Sequence, residues 1–347
     1  MVDIKKVASQ ANVSIGTVSN AFRHPERVAA KTRDRIMQVA DELGFSPNPL
    51  ASAMITSRTH IIGLIVSYSD SGGRGDAVNE FTKEAAERGY IVLLAVADMD
   101  IEKERQAVEY FIKYKVDGVV VYADYAPDRS SHFVKLAKTG TPCVVFKRYD
   151  RAYENIIVTA DKAFQNLAEQ LHKYRHTEVG IVVRCLYQKD GTPSIREERI
   201  QTFREKLSDV GICLSDDNIL EVDSESLYAG ENAVDTWLSL KTHLPTVFLC
   251  FYDKVAIGMM NRLQERGYQV PEDVSIVAYS GSEIWQYCKP RLAIISVDET
   301  DMMLKALDML IKRIDNPQKA LEDIEIIHEF HFDESLGMAR KKLPKGK

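Results

Sequence analysis

From Ile61 onward the chain repeats one rhythm that few folds accommodate. Short apolar, β-branched runs recur at Ile62–Val66, Ile91–Val96, Gly118–Tyr122, Cys143–Phe146 and Val179–Val183. They continue at Asn218–Val222, Thr246–Phe251, Val274–Tyr279 and Ile324–Phe330, and most are separated by ten to fifteen residues of helical periodicity. Runs this continuous, with helices between them, predict parallel strands covered on both faces. The rhythm breaks near Tyr153–Val158, which favours two doubly wound lobes over one barrel. Ligands of such sheets bind beyond the carboxyl ends of the strands.

The first sixty residues follow another plan. Ile4, Val7, Ala8 and Ala11 share a helical face, Asn12 suits a left-handed turn, and Ser14 is an N-cap for a second helix reaching about Phe22. A third helix opens at Lys31 or Thr32, carries the stripe Ile36, Val39, Ala40 and Leu43, and ends at Gly44. With Val7, Ala8, Val13, Val18 and Phe22, these residues make a minimal three-helix core of helix-turn-helix type. The outward face of the second helix is small and nearly uncharged: Ser14, Ile15, Gly16, Thr17, Ser19 and Asn20, with Arg23 at its end. Short side chains let a backbone approach a major-groove floor. Ser14, Thr17 and Ser19 can donate to phosphates, and Ile15 can pack on a thymine methyl. Asn20 can pair with the adenine N6/N7 edge, a contact worth about 1–3 kcal/mol of discrimination.

Charge agrees with that reading. Residues 1–60 hold eight Lys/Arg against five Asp/Glu, a net +3, which leaves −9 of the overall −6 for the rest. A basic head on an acidic body points to a polyanionic partner for the head alone. No apolar run reaches the roughly 20 residues of a membrane span, and the charged N-terminal stretch predicts a cytoplasmic chain. The five cysteines form no metal-ligand spacing and read as reduced thiols. The glycine-rich "DSGGRGD" lacks phosphate-loop spacing, Asp98, Asp100 and Glu102 read as a helix start, and neither HExxH nor GxSxG occurs. No cofactor is expected, and an enzyme reading lacks a catalytic constellation.

The segments "IKKVASQANVSIGTVSNAF", "KTRDRIMQVADELGFSPN" and "NPLASAM", with "IIGLIV", "DGVVVYA", "VFLCFYDKVAIGMM" and "VPEDVSIVAYS", resemble the LacI/GalR family of bacterial repressors over essentially the whole chain. The resemblance implies a helix-turn-helix head (1–47) and a hinge helix (48–60) ahead of a two-lobed, periplasmic-binding-protein-like α/β domain of parallel doubly wound sheets. The lobes are expected at 61–158, with about 293–320 crossing back, and at 159–292, with about 321–340; a basic tail, 341–347, follows. It further implies a homodimer on a pseudo-palindromic operator. A small-molecule effector in the cleft would change the angle between the lobes, the spacing of the hinges and the affinity for DNA. Hinge contacts carry over to Asn48, Leu50, Ala51, Ser52 and Met54, where Met54 replaces the usual leucine wedge and Ser52 an arginine or glutamine. Asn20 stands for a common arginine, which shifts preference from guanine toward adenine.

The cleft departs further. An asparagine-proline-aromatic segment is Ser71, Gly72, Gly73, Arg74 here; Val-Asp-Asn is Val158, Thr159, Ala160; an Asp pair is Ser280, Gly281; an Asp after the fourth strand is Lys147, beside Arg148; an Asn is Tyr252, next to Asp253, a possible N-cap. Arg199 in "REERIQTF" matches the family's ligand-binding arginine. Lost carboxylates and added cations imply an anionic effector, a sugar acid or sugar phosphate, with a neutral sugar as the broader class. Tyr252, Tyr279 and Trp285 offer stacking surface. The competing reading is a periplasmic-type ligand-binding protein with no DNA role, against which the basic head and the missing signal sequence speak.

Overall fold

The computed structural model describes residues 3–46, 58–67, 74–97, 100–122, 133–146, 153–187, 191–241, 243–279 and 283–340. Two compact units divide it, Met1–Thr59 and His60–Lys347.

In the first unit α1 spans Ile4–Gln10, α2 Ile15–Arg23 and α3 Ala30–Leu43. Asn12 takes φ 52°, the left-handed turn expected of it, and Ser14 accepts the Thr17 amide at 3.0 Å as the N-cap of α2. Gly44, at φ 62°, ends α3. That helix starts ahead of Lys31 and Thr32, because the extended backbone of Val28 gives way directly to Ala29 and Ala30, and alanine is the best helix former. Val7, Ala8, Ala11, Val18, Ala21, Ile36 and Ala40 form the core, flanked by Val13, Phe22, Val39 and Leu43.

The second unit holds two six-stranded sheets. The first runs β11 (Asp323–Ile327), β5 (Glu154–Thr159), β4 (Cys143–Phe146), β3 (Gly118–Tyr122), β1 (Ile61–Val66) and β2 (Ile91–Val96), all parallel. The second runs β12 (Glu329–His331), β10 (Ala293–Ser296), β9 (Ser275–Tyr279), β8 (Val247–Cys250), β6 (Val179–Val183) and β7 (Ile219–Glu221), with only β12 antiparallel. Val66 pairs level with Val96 and with Tyr122, so three strands of the first sheet end at one edge. The first sheet packs against α4 (Arg74–Glu87) and α11 (Glu299–Asp315) on one face, and against α5 (Ile101–Tyr114) and α6 (Val134–Thr139) on the other. The second is covered by α7 (Asp161–Lys173) and α8 (Ile195–Asp209), and opposite them by α9 (Leu227–Leu240) and α10 (Asp253–Glu265).

Three assignments change. The supposed break at Tyr153–Val158 is largely β5, disguised by two polar residues that open it. Glu154 receives the Arg313 guanidinium at 2.8 Å, and Asn155 donates to Asp323 at 2.9 Å, so both are buried with partners. Residues 293–296, expected in the first lobe, are β10 of the second sheet; only from α11 does the chain return. The run Ile324–Phe330 is two strands, β11 in the first sheet and β12 in the second, separated by His328. Alternating side chains look alike on either side of such a junction, so periodicity does not reveal it. The chain thus passes between the sheets at Ala160, at Val297–Asp298 and at His328.

Candidate functional site

Four of the six outward positions at the start of and along α2 lie open to solvent. Ser14, Ile15, Gly16 and Asn20 are exposed, Ile15 by 46%, while Thr17 and Ser19 are half-buried. A large aliphatic residue left in water beside a glycine is not what a solvated helix face favours. A Cβ built on Gly16 meets nothing nearer than Ser14 Oγ at 3.7 Å, so packing within the head does not require glycine there. Ser14 Oγ also lies 2.8 Å from Thr17 Oγ1. One hydroxyl proton closes that link, which leaves one of the two for an external acceptor. Arg23 is the last residue of α2. Its side chain, and the hinge positions Asn48, Leu50, Ala51, Ser52 and Met54, lie outside the described residues.

At the carboxyl ends of the first sheet, Arg74 opens α4 and Glu299 opens α11. Arg74 Nε stands 3.5 Å from Glu299 Oε2, Nη2 donates to the Tyr122 hydroxyl at 3.3 Å, and the guanidinium lies 4.3 Å over the Tyr122 ring. Both charged side chains are nearly buried. Arg74 is therefore neutralised inside the protein and is not the open ligand anchor expected of it. Lys147, Arg148 and Ser280 lie outside the described residues.

At the corresponding ends of the second sheet, Arg199 on α8 lies 4.9 Å over the Tyr279 ring and has no carboxylate partner among the described residues. Tyr252 accepts from Arg196 Nε at 2.5 Å. Arg196 and Arg184 both approach Glu225 Oε1, at 3.8 and 3.7 Å. Asp253 is not the cap of α10: Tyr252 occupies that position and Asp253 is the first helical residue. Its Oδ1 accepts the Lys254 amide at 2.7 Å, while Oδ2 is buried with no hydrogen-bond partner among the described residues.

Trp285 stands apart. In a 3-10 turn, Glu283–Tyr287, it stacks on His331 with centroids 5.9 Å apart, at the wall of a cavity of about 530 Å³. That wall includes Asp76, Asp298, Glu299, Asp301 and Glu329 and, among the described residues, no lysine or arginine and none of Arg199, Tyr252 or Tyr279. The cationic character expected of the cleft therefore narrows, among the described residues, to Arg199 and the Arg184–Glu225–Arg196 cluster. Arg196 was legible in principle, three residues before Arg199 and so on the same side of α8. Glu225, Glu299 and His328 carry no such signal, since only the tertiary fold brings them to their partners.

Residues 3–48 match the family of bacterial regulatory proteins of the lacI type, and residues 168–333 match a periplasmic binding protein-like domain. The chain is 27% identical over 329 residues to the HTH-type transcriptional repressor PurR of Klebsiella pneumoniae, covering 94% of each chain. It is 27% identical over 343 residues to PurR of Pasteurella multocida, covering 97% of this chain and 99% of that one. Among solved structures, a dimer of the lac repressor bound to operator and the anti-inducer ONPF aligns with a TM-score of 0.80 at 20% identity, over 96% of this chain and 98% of that one. A LacI-family regulator from Silicibacter pomeroyi aligns at 0.83 and 19%, over 97% and 100%.

Proposed function

We propose that this chain, a member of the LacI family of bacterial transcriptional regulators and not an enzyme, acts as a homodimeric repressor on a two-fold symmetric operator under the control of an anionic small molecule. The observation that carries the DNA half is the face of α2, where exposed Ile15 and Asn20 flank a glycine that the head itself does not need. In this reading Thr17 or Ser14 meets phosphate, Ile15 a thymine methyl and Asn20 an adenine edge. The hinge residues, with Met54 as wedge, enter the minor groove between half-sites. Two-fold symmetry follows because a single head covers too few base pairs for tight, selective binding.

For the effector, the supporting observation is Arg199, held over Tyr279 with no carboxylate partner among the described residues. A guanidinium in that state binds a carboxylate or phosphate in two parallel hydrogen bonds. A sugar acid or sugar phosphate fits it; a neutral sugar and, given the similarity to PurR, a purine base are the competing classes. Selecting bound duplexes from a random DNA library with the full chain should enrich an inverted repeat. Calorimetry with glucuronate, a hexose phosphate, a neutral hexose and hypoxanthine tests the second half. Binding of the neutral compounds alone sinks the anionic effector.

A further inference from the structure

At the last of the three passages between the sheets, one side chain touches both. His328 is buried, and its backbone N–H donates to the Thr159 carbonyl, at the end of β5, at 2.8 Å. Its Nδ1 lies 3.0 Å from the same carbonyl, and its Nε2 lies 2.9 Å from the Tyr279 hydroxyl, at the end of β9. A carbonyl only accepts, so Nδ1 carries the proton. In the neutral ring Nε2 is then the acceptor, and Tyr279 donates to it. The other described passages offer nothing comparable. Ala160 has no polar side chain, and Asp298 caps its own helix by accepting the Asp301 amide at 2.9 Å.

Thr159 belongs to the first sheet and Tyr279 to the second. Rotation of one lobe against the other must stretch a bond on one side of the imidazole, and in a buried setting water does not replace it. The Tyr279 ring is also clamped in place, stacked on Phe251 at 5.4 Å and carrying Arg199 at 4.9 Å. We propose that His328 is a positioning residue that latches the angle between the lobes and, through Tyr279, ties that angle to what Arg199 binds. The second clause rests on Arg199 as the effector contact; the first does not.

The test needs no ligand. Spin labels are placed on Lys113→Cys in α5 and Glu205→Cys in α8 of the full chain, with Cys185, Cys213 and Cys288 changed to serine. Excess unlabelled chain isolates distances within one protomer. The parent should give one narrow distance distribution. Tyr279→Phe, which removes a single hydroxyl, should raise a second population by a factor of roughly 2 to 13, the worth of one net hydrogen bond. His328→Leu should do the same, and His328→Gln, whose amide can donate to Thr159 and accept from Tyr279, should return the parent distribution. If Tyr279→Phe superimposes on the parent, or His328→Gln behaves as His328→Leu does, the latch is wrong. Tyr279→Phe keeps the test decisive should His328→Leu not fold. Failure of every effector candidate would leave this result untouched.

Discussion

Arg74 and Glu299, 225 positions apart in sequence, open two helices that pack on the same face of the first sheet, and they meet there as a nearly buried pair at 3.5 Å. The pair explains how a cation introduced beside a strand end need not create an anion site: the fold supplies its counter-charge from the return crossover. Glu299→Gln leaves Arg74 inside without that charge. It should destabilise the body by on the order of 1–3 kcal/mol, below the 3–5 of a closely bonded buried pair, because the Tyr122 contacts remain. Chemical denaturation of the full chain measures it.

Gly16→Ala separates stability from function. Alanine fits at this first-turn position and restricts the unfolded chain, worth about 0.4–1 kcal/mol, so the head should melt later. The added methyl faces outward, and affinity for the selected operator should fall. A variant that gains stability and keeps its affinity would show that the backbone does not approach the groove closely.

Asn20→Ala should relax preference at one base pair per half-site, with about 1–3 kcal/mol of discrimination lost there and little elsewhere. Competition between operators varied at single positions reads this out. Uniform weakening across all sites would make Asn20 a backbone contact.

Where α9 crosses α10, the two helices touch through glycines. A Cβ on Gly258 would stand 1.9 Å from the Leu227 carbonyl, and one on Gly230 would stand 2.1 Å from that of Val255. Gly258→Ala must push the helices apart and should cost about 1–3 kcal/mol or more, as overpacking does. An unchanged melting temperature would contradict the close crossing.

His176 introduces a dependence on pH. Burial holds its pKa below the usual 6.5 despite the Gly337 carbonyl 2.9 Å from Nε2. The unfolded chain therefore takes up a proton that the folded one refuses, so this residue costs stability as pH falls below 6.5 and nothing above it. His176→Gln keeps a donor for Gly337 and removes the titration. Its melting temperature should fall less than the parent's between pH 7.5 and about pH 5.

What periodicity revealed and what it missed have physical causes. The three head helices, the left-handed Asn12 and the cap at Ser14 are local features, decided within four residues of chain, and the structure keeps them. Most strands with uniform apolar runs were equally plain, though the short β10, Ala293–Ser296, was not among them. β5 was not, because Glu154 and Asn155 take their partners from Arg313 and Asp323 far along the chain. Nor was the junction at His328, where one apparent strand serves two sheets. In the cleft, residue type identified Arg199 and Arg74 equally as cations. Only tertiary structure distinguishes the one with no carboxylate partner among the described residues from the one paired with Glu299.

If α2 reads sequence as one half of a two-fold dimer, tight binding requires both half-sites together. Fluorescence anisotropy at fixed salt, comparing the selected inverted repeat, the same duplex with one half-site scrambled, and a fully scrambled duplex, measures this. The full repeat should bind two chains, at least about a thousandfold more tightly than the scrambled duplex, with the single half-site far weaker than the pair. Equal affinity for all three duplexes, with and without each candidate effector, would contradict it.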